Sequence, residues 1–63
     1  SQAKLKNENE KIIYQLFSEE NTLAIDKIIE KSNLCSKEVL INLTSLELKG
    51  LVKNIGGSYY LKI

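Results

Sequence analysis

The stretch SKEVLINLTSLELKGLV, from Ser36 to Val52, decides the fold of this chain. Ser36 is expected to cap a helix, its hydroxyl accepting from the first free backbone N–H groups, and Glu38 puts negative charge into the first turn. Val39, Leu43 and Leu46 recur at spacings of four and three, which makes one apolar helical face. Lys49 stands at the carbonyl end, and Gly50 follows where a left-handed residue closes a helix. Leu51 and Val52 then open a strand.

Upstream, Asn33 sits where a tight turn asks for positive φ, which Asn tolerates better than most residues. Leu34 and Cys35 are expected to tuck under that turn. Asp26 is expected to cap a second helix, KIIEKS, with Ile28 and Ile29 pointing inward. Helix, short turn, longer helix is the spacing of a helix-turn-helix. Thr22 to Ile25, TLAI, reads as a short extended piece that pairs with the terminal hairpin. Ile12, Ile13, Leu16 and Phe17 form the apolar face of a first helix, with Asn7 as its cap and Glu8 and Glu10 in its first turn.

Downstream, LVKNI and SYYLKI flank Gly56-Gly57, a hairpin signal whose turn fits type I′. Leu51, Lys53 and Ile55 alternate with Val52 and Asn54, and Tyr59, Leu61 and Ile63 with Tyr60 and Lys62, so one face of the hairpin covers the helices. The fold class is mainly α with a small antiparallel β-hairpin: a winged helix-turn-helix of three helices plus a wing. It is expected over residues 8–63, behind a flexible linker at residues 1–7.

Sixty-three residues make one small domain, and 43% hydrophobic content suffices for one core. Without Met, the chain is expected to be a piece of a longer protein. Nine Lys, no Arg and eight acidic residues leave a net charge of +1, short of the strongly basic balance of a dedicated nucleic-acid binder. One Cys permits no internal disulfide, and the absence of His removes Ser-His and Cys-His pairs and the commonest metal ligand. Glu19-Glu20 reads as a solvated loop, Gly56-Gly57 has no following helix to hold a phosphate, and Cys35 reads as a small turn residue. Neither catalysis nor a cofactor or metal is expected. No apolar run has the length to span a membrane, and the cytoplasm is the expected compartment.

Taken whole, LAIDKIIEKSNLCSKEVLINLTSLELKGLV, from Leu23 to Val52, resembles the C-terminal winged-helix domain of the bacterial DNA-processing protein DprA. The resemblance is carried by the short strand before Asp26, Leu34 at the turn, Ser36, the Val39-Leu40 pair and the string LTSLELKGLV from Leu43. The glycine-centred hairpin and aromatic last strand fit as well. Asn33 departs from the Gly common in that family, and the hairpin is poor in lysine. The resemblance implies a part in natural transformation. In that family a separate Rossmann-like domain carries the main single-strand binding and self-association, incoming single strands are protected, and the recombinase RecA is loaded onto them. The winged helix is accessory there, and in some members duplex binding is attributed to it.

The residues offer two kinds of contact. Opposite the apolar face of the third helix lie Lys37, Ile41, Thr44, Ser45 and Leu48. Lys37, Thr44 and Ser45 can meet phosphates or base edges, and on the wing Lys53, Asn54, Ser58 and Lys62 join them as DNA-binding candidates. Three lysines imply weak, sequence-independent binding, expected to be to duplex DNA, with a logarithmic salt slope of about −3. Ile41 and Leu48 are candidates for protein contact, with other domains of the parent or a recombination protein such as RecA as partners. Two further readings are a winged-helix fragment of a transcription regulator and a pure protein-interaction module.

Overall fold

The computed structural model describes residues 8–63. The order of elements is α1 (Glu8–Leu16), β1 (Thr22–Ala24), α2 (Ile25–Ser32), α3 (Ser36–Leu48), β2 (Val52–Gly56) and β3 (Tyr59–Lys62). The three strands form one antiparallel sheet in the order β1-β3-β2. Three helices backed by this sheet make the winged helix-turn-helix expected from the sequence. The expected linker at residues 1–7 and the Asn7 cap lie outside the described residues.

The core gathers one stripe from each element: Ile13 and Phe17, Leu23, Ile28, Val39 with Leu43 and Leu46, then Leu51, Val52 and Tyr60. The face of α3 is as expected, with Val39, Leu43 and Leu46 fully buried. On α1 and the turn that ends it the deepest apolar residues are Ile13 and Phe17, whereas Ile12 is half-buried and Leu16 packs at the margin. Phe17 reaches the centre because the helix tightens as it ends: its N–H bonds to the Tyr14 carbonyl at 3.1 Å, and Ser18 to Gln15 at 3.0 Å.

Both expected side-chain caps are corrected. Helix α2 starts at Ile25 after an extended Ala24, so Asp26 lies in its first turn and supplies charge only. The Ile25 N–H, which a cap would otherwise serve, donates to the Ser58 carbonyl across the sheet at 2.8 Å. Helix α3 has Cys35 at the N-cap position, with no side-chain cap bond, and Ser36 is its first helical residue. Cys35 is exposed rather than tucked beneath the turn, while Leu34 does pack on the core. Asn33 has the expected left-handed backbone, φ +65°. Ser32 fixes the turn instead, its hydroxyl accepting from the Leu34 N–H at 3.2 Å.

The end of α3 is a two-bond Schellman cap. Gly50, at φ +77°, donates to the Glu47 carbonyl, and Leu51 donates to Leu46, both at 3.0 Å. This turn buries Leu51 ahead of the strand, so Leu51 and Val52 are both inside, whereas Lys53 to Gly56 are all exposed and the alternation expected from Leu51 does not appear in β2. The hairpin also differs from the expected turn. Gly56 is the last residue of β2, at φ +122°, and pairs with Tyr59, which leaves Gly57 and Ser58 as the turn. The register shifts between Asn54 and Gly56, so Ile55 occupies a bulge.

Candidate interaction surface

Helix α3 lies across the front of the domain between α1 and the wing. Its buried residues include Asn42, which satisfies its amide by donating to the Glu38 carbonyl at 2.7 Å. The opposite face is open: Lys37, Leu40, Ile41, Thr44, Glu47 and Leu48 are all exposed. Leu48 keeps 84% of its surface, Ile41 55% and Leu40 44%. Three bulky apolar side chains are thus left in water along one stripe of the helix.

The expected polar contacts divide by placement. Lys37 and Thr44 project from the outer face of α3, and Lys53 and Ser58 are exposed on the wing. The Ser45 hydroxyl points instead into the α1–α3 interface and hydrogen-bonds the Glu10 carboxylate. Asn54 organises the wing: its amide donates to the carbonyls of Gly57 and Tyr59, each at 3.2 Å, while its oxygen accepts from the Gly56 N–H at 3.3 Å. Lys62 is half-buried at the base of the hairpin, opposite Val52, with its ammonium 5.5 Å from the centroid of the Tyr14 ring. The seven polar positions therefore do not form one patch.

Two residues went unseen in the sequence. Leu40 reads there as part of a Val-Leu pair, yet at 100° per residue it falls on the same outer stripe as Ile41 and Leu48. Glu10 reads as a first-turn charge, but it is only 3% exposed and takes a 2.8 Å salt bridge from Lys49, which is 30% exposed. Ser45 and Lys49 stand at i and i+4 beside the α3 core face, on one side of the helix, but that spacing does not name their partner, which depends on where α1 packs. This cluster joins the start of α1 to the end of α3 and sets the pose of α3.

Charge along α3 and its C-cap is balanced, with Lys37 and Lys49 against Glu38 and Glu47. Glu47 lies beside the wing, 3.5 Å from the Asn54 N–H. Among the described residues no cluster of His, Cys, Asp and Glu is arranged to hold a metal, and no helix is long and apolar enough to cross a membrane.

No curated protein and no solved structure matches this chain. The family model described as the DprA winged helix domain matches residues 1–58, which is nearly the whole sequence and includes LTSLELKGLV. With that match added to the three helices, the Schellman-capped α3 and the three-stranded sheet, the chain belongs to the DprA winged-helix domain family.

Proposed function

We propose that this domain is a non-catalytic accessory module of a DNA-processing protein acting in DNA uptake and natural transformation, and that its α3 works as a docking helix for protein. The observation that carries this reading is the outer face of α3, where Leu40, Ile41 and Leu48 are exposed beside a single lysine. Such side chains cannot hydrogen-bond a base edge; at best they touch thymine methyl groups.

DNA contact is the minor activity. Lys37 and Lys53 are the exposed cations at the helix and wing, while Lys62 is turned toward Tyr14. Two phosphate contacts release about two counterions, so the logarithmic salt slope of duplex binding is about −2 rather than −3. The binding is weak and indifferent to sequence. Partners for the apolar face are other domains of the parent protein or a recombination protein such as RecA, in a cytoplasmic setting.

Fluorescence anisotropy with short duplex and single-stranded DNA at several salt concentrations tests the reading. Lys37→Glu should weaken duplex binding, and Ile41→Ser should leave it nearly unchanged. Tight, salt-insensitive duplex binding that Ile41→Ser abolishes would show that α3 reads DNA through its apolar face, contrary to the proposal.

A further inference from the structure

The outer face of α3 has a charge pattern that matches itself. At 100° per residue, Leu40, Thr44, Lys37, Leu48 and Ile41 fall within an arc of about 100°. Lys37 stands in the first turn, and Glu47 lies ten residues on, about 15 Å along the axis, on the flank nearest the wing. Neither takes part in a salt bridge within the described chain. Glu38, the other acid near the N-terminus, lies on the opposite flank, where its carboxylate accepts from Asn9.

We propose that α3 docks antiparallel on the α3 of a second copy of this chain, about a two-fold axis level with residues 42 and 43. This rests on reading α3 as a docking helix and names its partner. Under that symmetry Ile41 of each copy faces Thr44 of the other, a large side chain against a small one. Leu48 lies along the aliphatic stem of the second copy's Lys37. Glu47 reaches both that Lys37 and the positive end of the second α3, where Cys35 gives no side-chain cap. The same two contacts recur on the other side of the axis, as an isologous interface requires. Glu38 falls on the far flank of each helix and does not meet Glu47. A parallel pairing would instead set Lys37 against Lys37 and Glu47 against Glu47.

One helical face of 13 residues, about 20 Å long, is smaller than the ~800 Å² per partner of a stable complex. Pairing of the isolated domain is therefore weak. It becomes effective when two domains are held close, as on one DNA strand or in a larger assembly, where effective concentration replaces affinity.

Sedimentation equilibrium and concentration-dependent amide shifts of the 63-residue chain, carried from dilute to millimolar, test this directly. Self-association should appear at the upper end, with shifts at Lys37, Ile41, Thr44 and Leu48. Lys37→Glu alone and Glu47→Lys alone should each weaken it about tenfold or more, because each variant places like charges at both contacts. An equimolar mixture of the two single variants should restore association, since both contacts are then opposite in sign. Ile41→Ser should weaken it in every background. A chain that stays monomeric at millimolar concentration, or single variants that the mixture does not rescue, overturns the pairing. In that event, a loss of function on mutating Ile41 and Leu48 in the parent protein would still leave α3 a docking helix for a different partner.

Discussion

Removing Lys49 should destabilise this domain far more than neutralising Glu10, although the two are halves of one salt bridge. The asymmetry comes from burial. Lys49 is 30% exposed and can swing its ammonium toward water when the Glu10 charge is removed, whereas Glu10 is 3% exposed, held at the α1–α3 interface. Lys49→Ala leaves a carboxylate in the interior without its 2.8 Å cation. Breaking a buried pair in this way costs ~3–5 kcal/mol, and the open edge of this site favours the lower figure of about 3. Glu10→Gln keeps the shape and an acceptor for the Ser45 hydroxyl, removes the buried charge, and costs about 1 kcal/mol. For 63 residues the unfolding entropy is about 0.13 kcal/mol/K, so Lys49→Ala should lower Tm by roughly 20 °C and Glu10→Gln by under ~10 °C. In the double variant most of the Lys49→Ala loss should vanish, because the buried charge itself is gone. Circular dichroism melts of the four proteins measure this cycle. Equal losses from the two single variants, or a Lys49→Ala melt within a few degrees of the parent, would refute the burial argument.

Other consequences follow from the core and the turns. Leu43→Ala empties a fully buried site on α3 and should cost ~2–5 kcal/mol, seen as a shifted urea midpoint or as outright unfolding, since a domain of this size has only ~3–9 kcal/mol in all. Gly50→Val should cost more than ~1 kcal/mol, although nothing lies within 4 Å of its missing Cβ, because the strain at φ +77° is in the backbone; an unchanged melt would count against that helix end. Asn54→Ala removes bonds to Gly57, Tyr59 and Gly56 together, and faster amide exchange confined to Gly56–Tyr59, with α3 unaffected, is the expected sign.

The elements of this fold were legible because they are written locally. The 3–4 spacing of Val39, Leu43 and Leu46, the Lys49-Gly50 stop, Asn33 at positive φ and the paired glycines each carry their own geometry. The α2 cap was not legible because the competing acceptor is non-local: the Ile25 N–H donates to the Ser58 carbonyl, 33 residues away, so Asp26 has no cap to make. The hairpin turn moved by one residue because Asn54 folds its side chain back onto the tip and forces a bulge at Ile55, which strand alternation does not encode. At the surface, Ile41 and Leu48 could be read as outward from the helical wheel alone, and so could Leu40. The turning of Ser45 to Glu10 and of Lys62 to Tyr14 could not, since both depend on where α1 packs.

Docking through the apolar face of α3, with DNA contact secondary, is tested most directly by transformation frequency in cells whose parent protein carries substitutions in this domain. The comparison sets Ile41→Ser with Leu48→Ser against Lys37→Glu with Lys53→Glu, using pairs whose purified domains melt like the parent. The apolar pair should lower the yield of recombinants much more than the charge-reversed pair. The reverse order, with the lysine pair crippling and the apolar pair silent, would contradict docking and make α3 and the wing a DNA-binding surface first.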